Sequence, residues 1–136
     1  MLPPPRILVA EDNPAQAGAI RFCLERSGLP CTVIGNGYEA WKLLQTQDFA
    51  LLLTDHQMPG LSGCELVERL RSDMRLAGLP IIMLTAKGLE LDVARLTDEF
   101  RVNAVIAKPF SPRELVAAIR VHMDPTASLL ALVSGR

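Results

Sequence analysis

The sequence predicts a single α/β domain built on a parallel sheet, because short apolar runs alternate with stretches of helical periodicity. Its 136 residues are enough for one ordinary domain and too few for two. The apolar runs are short and nearly continuous, which is typical of strands covered on both faces. We therefore expect five parallel strands joined by right-handed crossovers, with helices on both faces of the sheet.

The strands are predicted from the apolar runs alone. They read ILVA, CTVI, ALLLT, IIMLT and AVIA and occupy residues 7–10, 31–34, 50–54, 81–85 and 104–107. The third run leads directly into Asp55, so a carboxylate follows a run of apolar and hydroxyl residues that is expected to be fully buried. A charge is costly to bury, and its presence at this point therefore needs a functional or structural reason.

The helices are predicted from their capping signals and periodicity. They lie near residues 14–27, 37–46, 63–71, 89–100 and 112–123. Ser62 and Ser111 each open a capping box with a glutamate three residues later, and Asn13 begins a weaker version of that signal. Gly28 stands where the first helix needs a left-handed residue to end.

The fourth helix has the clearest apolar face. Leu89, Val93, Leu96 and Phe100 recur at i, i+4, i+7 and i+11, which places them on one side of a helix. We expect that side to pack on the sheet.

Composition and charge limit the classes of protein to which the chain can belong. The net charge of -1 gives no reason for direct binding of nucleic acid or of anionic membranes. The start, MLPPPR, lacks the features of a signal peptide, and no run approaches the ~18 apolar residues of a membrane helix. We expect a cytoplasmic domain over residues 1–123, followed by a frayed tail or truncated linker at 124–136.

The cysteines also favour a cytoplasmic location. Cys23, Cys31 and Cys64 are odd in number, lack the spacing of metal ligands and lie within apolar patterns. They are expected to be reduced thiols of the core.

Polar side chains collect at the carboxyl ends of four predicted strands, where open α/β sheets bind ligands. These side chains are Glu11, Asp12, Asp55, Thr85 and Lys108. Each one alone has an ordinary interpretation as a turn, cap or surface residue, but their coincidence at one edge favours function. One lysine cannot neutralise three carboxylates, and an all-oxygen ligand set favours Mg²⁺ over Zn²⁺.

Four motifs carry a resemblance to a known family: VAEDN (9–13), TDHQMPGLSG (54–63), MLTAK (83–87) and AKPFSPREL (107–115). From about residue 5 to about 123 the chain resembles the CheY-like receiver domains of two-component response regulators. The resemblance implies a flavodoxin-like sheet of order 2-1-3-4-5. It also implies that a sensor histidine kinase or a histidine phosphotransfer protein supplies a phosphoryl group. Output would run through the face of helix 4, strand 5 and helix 5 to a downstream protein that the sequence does not name.

The resemblance also assigns the acidic residues. Asp55 would be the phosphoacceptor and Asp12 a direct ligand of Mg²⁺, for which Mn²⁺ could substitute. Glu11 stands where most members have aspartate, and it would act through water, although its longer arm leaves direct ligation open. The backbone carbonyl of Gln57 would supply a third protein oxygen. The domain would then be no enzyme beyond its own phosphorylation and slow autodephosphorylation.

The remaining roles concern the phosphoryl group and the switch. Thr85 would offer its hydroxyl to a phosphoryl oxygen, Ala86 would leave the approach open, and Lys108 would pair with another oxygen. The bond between Lys108 and Pro109 is expected to be cis. Many members carry an aromatic residue where this chain has Val105, and a valine cannot make the ring movement of those members.

Gln57 and Lys87 would flank the path of water to phosphorus. Neither is a carboxylate that could orient water as a base, so slow loss of the phosphoryl group is expected.

Alternatives from other classes remain open. Glu11 and Val105 are the support for a receiver fold that binds its partner regardless of phosphorylation. A phosphatase of the haloacid-dehalogenase type is disfavoured because Gln57 stands where its second acid is needed. A nucleotide-binding flavodoxin-like domain is disfavoured because no glycine-rich loop follows strand one.

Overall fold

The computed structural model describes residues 6–86 and 93–123. Strands and helices alternate along this part of the chain as β1 (Ile7–Ala10), α1 (Pro14–Arg26), β2 (Cys31–Ile34), α2 (Gly37–Thr46), β3 (Leu51–Asp55), α3 (Gly63–Arg71), β4 (Ile81–Thr85), α4 (Val93–Asp98), β5 (Ala104–Ala107) and α5 (Pro112–Met123). Every strand pair is parallel, and the order across the sheet is β2-β1-β3-β4-β5. The predicted fold class and the strand order implied by the resemblance are thus confirmed.

The third strand lies one residue further along the chain than predicted. It begins at Leu51 and includes Asp55, whose partner in the ladder is Leu84 of β4. Ala50 lies outside the strand, and its backbone N–H donates instead to the carbonyl of Arg6. Asp55 therefore belongs to the sheet itself, where its pairing with β4 restrains its backbone.

The fourth helix ends two residues before its predicted limit. It spans Val93–Asp98, and residues 89–92 lie outside the described part of the chain. Beyond the helix the backbone of Arg101 is left-handed, with φ of 54°, which turns the chain towards β5. The N–H of Val102 donates to the carbonyl of Leu96 and closes this turn.

The predicted apolar face of α4 is correct only in part. Leu96 is buried, and Phe100 packs against the same cluster of core residues. Val93 is 48% exposed, so the prediction that it packs on the sheet is wrong. Leu89 lies outside the described residues.

Apolar side chains cover both faces of the sheet. Along β1, Leu8 and Ala10 contribute to one cluster, whereas Ile7 and Val9 contribute to the other, as the alternation of side chains along a strand requires. The first cluster joins the sheet to α2, α3 and α4, and the second joins it to α1 and α5. The strands β1, β3 and β4 are therefore buried along their whole length, which explains their continuous apolar sequences, whereas the edge strands β2 and β5 are only partly buried.

Local signals fix both ends of α1 and the start of α3 as the sequence predicts. The side chain of Asn13 accepts a hydrogen bond from the backbone N–H of Gln16 at 3.0 Å, and Ser62 and Glu65 form a complete capping box. Gly28 has φ of 77°, and it closes α1 together with the N–H of Leu29, which donates to the carbonyl of Leu24. All three cysteines are free. Among the described helices, none is both long and apolar enough to cross a membrane.

Candidate functional site

A cleft of about 480 Å³ opens at the carboxyl edge of the sheet. Residues from the ends of β1 and β3, the start of α1 and the segments after β4 and β5 line it. They are Glu11, Asp12, Asn13, Pro14, Gln16, Asp55, Gln57, Ala86 and Lys108. The cleft therefore contains most of the residues that the sequence singled out.

The acidic residues converge as predicted. Oxygen atoms of Glu11, Asp12 and Asp55 all lie within 4.8 Å of one another. Glu11 is only 2% exposed and Asp55 only 7%, whereas Asp12 faces the open side of the cleft. Carboxylates at this spacing repel one another strongly unless positive charge lies among them.

Lys108 supplies part of that charge. Its Nζ donates to Glu11 Oε1 at 2.9 Å, to Asp55 Oδ2 at 3.0 Å and to Gln16 Oε1 at 2.6 Å. An ammonium group has three hydrogens, so these bonds use every donor that it has. The side chain starts from a backbone whose N–H donates to the carbonyl of Thr85, and the following bond to Pro109 is cis.

Burial and charge shift the pKa values of this pair. Burial raises the pKa of Glu11, and the neighbouring charge of Asp55 adds to the rise; hydrogen bonds from Lys108 and from the backbone of Asn13 oppose it. Burial acts to lower the pKa of Lys108, but the hydrogen bonds and charges of Glu11 and Asp55 together outweigh it and raise that pKa. Lys108 is consequently a cation throughout the neutral range.

The donor set fits a divalent cation that prefers oxygen. Three carboxylates and one ammonium leave two negative charges in the cleft, which one Mg²⁺ ion would balance. Glu11 already accepts from Lys108 through Oε1 and from the N–H of Asn13 through Oε2, at 3.2 Å. Both of its oxygens are thus engaged, which agrees better with a role through water than with direct ligation.

The remaining described residues of the predicted site lie outside the cluster of acids around Lys108. Gln57 and Ala86 are exposed on the cleft wall, while Thr85 is buried at the end of β4 with its hydroxyl 3.5 Å from the carbonyl oxygen of Ala86. Val105 is half-buried in β5 and packs against the core. Lys87 lies outside the described residues.

Gln16 is the site residue that the sequence did not single out. Its one signal is its position three residues after Asn13, which is read from sequence as part of a helix cap. Its contact with Lys108 joins residues 92 positions apart and becomes visible only in the folded chain.

This combination of fold and acidic cleft defines a class of signalling domain. The family model described as "Response regulator receiver domain" matches residues 7–120. The chain belongs to this family, the receiver domains of two-component signal transduction.

Curated relatives of the chain include response regulators. The chain is 40% identical over 120 residues to the phosphate regulon transcriptional regulatory protein PhoB of Pseudomonas aeruginosa, covering 88% of this chain and 52% of that protein. It is 36% identical over 131 residues to the DNA-binding response regulator MtrA of Mycolicibacterium smegmatis, covering 93% and 56%. The chain thus spans about half the length of these relatives. Its predicted lack of direct nucleic-acid binding stays a prediction.

Solved structures show the same fold. A putative response regulator from Chloroflexus aurantiacus matches with a TM-score of 0.81 and 29% identity, over 89% of this chain and 98% of that one. The receiver domain of sensor histidine kinase PA1611 from Pseudomonas aeruginosa matches with a TM-score of 0.79 and 28% identity, over 88% and 97%. That second structure is described with a magnesium ion coordinated in its active-site cleft.

Proposed function

We propose that this chain is a phosphoacceptor switch that takes a phosphoryl group onto Asp55 in the presence of Mg²⁺, with residues 1–123 forming the functional domain. One observation carries the proposal: the ammonium of Lys108 bridges Asp55 and Glu11 inside a cluster of three carboxylates. A purely structural ion pair would not need the third acid, Asp12, on its open side. Such an excess of negative charge at a strand end is suited to a cation and a phosphoryl group.

The residues that would hold the metal are those with oxygen atoms facing the cleft. Asp12 and Asp55 would ligate it directly, Gln57 would offer its backbone carbonyl, and Glu11 would act through water. When bound, Mg²⁺ supplies positive charge that offsets the repulsion between a carboxylate and an incoming phosphoryl group. Mn²⁺ would serve the same purpose.

Asp55 performs the transfer as a nucleophile. A carboxylate oxygen of Asp55 forms a bond to phosphorus, while the bond from phosphorus to the imidazole nitrogen of the donor breaks and the electron pair stays on that nitrogen. Lys108, already within hydrogen-bonding distance of Asp55, pairs with the negative charge on the phosphoryl oxygens. Thr85 would bind a further oxygen through its hydroxyl, and the small side chain of Ala86 leaves room for it.

The partners follow from this chemistry. The protein donor of the phosphoryl group would be a phosphohistidine of a sensor histidine kinase or of a histidine phosphotransfer protein. The domain catalyses only its own phosphorylation and slow autodephosphorylation. We assign output to the face formed by α4, β5 and α5, towards a downstream protein yet to be identified.

Labelling by a small phosphodonor tests the proposal. Incubation with Mg²⁺ and acetyl phosphate should add one phosphoryl group to the parent chain, as measured by intact mass, and none to Asp55→Asn, which lacks the nucleophile. Asp48→Asn is the matched control, because Asp48 pairs with Arg75 on the surface away from the cleft. The assignment fails if the Asp55 variant is labelled as fully as the parent.

The second candidate is an interaction module that works without phosphorylation. Val105 favours it, because a half-buried valine packed against the core offers no ring that could change position. This candidate predicts that partner binding is the same for the parent and for Asp55→Asn, with or without beryllofluoride.

A further inference from the structure

Gln16 makes the shortest of the three contacts to the Lys108 ammonium, at 2.6 Å. It lies in the first turn of α1, and the cap formed by Asn13 fixes its backbone through a 3.0 Å hydrogen bond. Its side-chain amide is therefore presented to the cleft from a rigid position. The other two acceptors are buried carboxylates, of Glu11 directly after β1 and of Asp55 at the end of β3.

Glu11 explains why the Gln16 side chain is available. In a capping box the side chain at this position turns back and accepts from the N–H of the N-cap residue. Here the N–H of Asn13 donates to Glu11 Oε2 at 3.2 Å instead. The long arm of Glu11 thus accepts from both Asn13 and Lys108, and it leaves the oxygen of Gln16 free to accept from Lys108 as well.

We propose that Gln16 is a positioning residue that, together with Glu11, holds the Lys108 ammonium in place for phosphoryl transfer. This inference rests on the proposed function of the same site. When Asp55 carries a phosphoryl group, Lys108 must exchange its contact with Asp55 Oδ2 for a phosphoryl oxygen. Two fixed acceptors, Gln16 on α1 and Glu11 directly after β1, keep the ammonium over the site while that exchange takes place.

An amide suits this position because of the charge of the cleft. Three carboxylates already face one ammonium, and a fourth acid would increase the repulsion that a phosphodonor meets. Gln16 orients the flexible side chain of Lys108 without adding charge. It also removes conformational freedom from that side chain before the reaction, which is the usual benefit of a preorganised group.

The test compares Gln16→Met, which keeps the length and removes the acceptor, with Gln16→Glu, which keeps an acceptor. Gln45→Met, on the exposed side of α2, is the control for a surface exchange of this kind. Two measurements are made: the rate of phosphorylation by acetyl phosphate at saturating Mg²⁺, and the ¹H–¹⁵N signals of the lysine ammonium groups with and without Mg²⁺. The chain has only Lys42, Lys87 and Lys108, so Lys108→Arg identifies the signal.

We expect Gln16→Met to lower the phosphorylation rate by about 3- to 10-fold, as the loss of one typical hydrogen bond from an exposed side chain implies. The Lys108 ammonium signal should broaden through exchange with water in Gln16→Met and stay sharp in Gln16→Glu and Gln45→Met. An unchanged ammonium signal in Gln16→Met overturns the inference, whatever the rate. A parent chain that takes up no phosphoryl group overturns the proposed function, and the ammonium signal still decides whether Gln16 positions Lys108.

Discussion

Glu11 and Asp55 are the buried acids of the described chain, and Lys108 makes their burial tolerable. A carboxylate removed from water needs hydrogen bonds and opposite charge, and each of these acids receives both from one ammonium. The arrangement also places a cation beside the oxygen that would attack phosphorus. The stability of the fold and the reactivity of Asp55 thus depend on the same few contacts with Lys108.

Gln57 leads to a prediction about the lifetime of the phosphorylated state. It is exposed on the wall of the cleft, where its bulk can hinder water from approaching phosphorus in line with the aspartyl oxygen. It also lacks a carboxylate that could act as a base. We expect phosphorylated Asp55 to decay over minutes or longer rather than seconds, and we expect Gln57→Ala to accelerate the decay.

The measurement is the loss of phosphoryl mass after removal of the donor, at saturating Mg²⁺ and without a phosphatase. Lys87→Ala is the companion variant, because Lys87 flanks the same path in the family pattern. An unchanged rate in Lys87→Ala would assign the protection to Gln57 alone. Decay of the parent within seconds would show that the interpretation of both residues is wrong.

Residue identity and strand position were sufficient to predict the acids and the lysine, because parallel strands bring their carboxyl ends to one edge. The same reasoning could not find Gln16, since its contact depends on how α1 lies against the loop after β5. It also could not foresee that Glu11 uses both oxygens within the protein. Such contacts form or are lost with shifts of a few tenths of an ångström. A pattern of residue types gives no information on distances at that scale.

At the scale of elements, the start of α3 fixes the end of β3. The N–H of Gly63 donates to the carbonyl of His56 at 2.7 Å, which brings the helix against the residues that follow the strand. A Cβ atom added at Gly63 would lie 2.5 Å from the carbonyl oxygen of Asp55 and 2.8 Å from the Cα of His56. This approach requires glycine, because both of those neighbours are backbone atoms.

A pair of glycine substitutions tests that packing. Gly63→Ala should lower the free energy of unfolding by about 2–3 kcal/mol, because helix and strand must separate to admit the methyl group. Gly18→Ala should raise it by about 0.5–1 kcal/mol, since a Cβ at Gly18 in α1 meets nothing within 4 Å and alanine favours a helix. Urea unfolding gives both values. Equal effects of the two substitutions would contradict the close packing at Gly63.

The packing of the segments before β4 and before β5 is the part of the fold that the sequence predicts least well. Arg71, at the end of α3, donates to the backbone carbonyls of Ala77, Leu79, Phe100 and Arg101 at 2.7–2.9 Å. It thereby joins the segment before β4 to the segment before β5. From the sequence Arg71 is an ordinary last-turn arginine, because its partners are backbone groups that carry no sequence signal.

At the scale of the whole molecule, the strand order decides which charges meet. β1 and β3 are neighbours, so Glu11 and Asp55 lie side by side, while β5 is separated from β3 by β4. Lys108 must therefore extend across the end of β4 to reach both acids, and Ala86, the residue that follows β4, lines the same cleft. The alternation of strands and helices was readable from sequence, but this path across β4 follows from the fold.

The charge gathered at this edge should make the stability of the whole domain depend on Mg²⁺. Without the ion, the cleft holds three carboxylates against one ammonium, and unfolding relieves their repulsion. Asp55→Asn removes one of these charges with little change of shape, and Lys108 keeps Glu11 and Gln16 as acceptors. We therefore expect the variant to be at least as stable as the parent in EDTA, by urea unfolding.

In the presence of Mg²⁺, we expect the parent to be more stable than Asp55→Asn. An ion at one hundred times its dissociation constant stabilises the native state by about 2.7 kcal/mol, and the variant should gain less because it has lost a ligand. Asp48→Asn, whose acid lies on the surface, should show the full gain of the parent. If Asp55→Asn instead unfolds at a clearly lower urea concentration than the parent in EDTA, the ion pair with Lys108 outweighs the repulsion among the acids. Repulsion among the three carboxylates would then not explain why Mg²⁺ stabilises the domain.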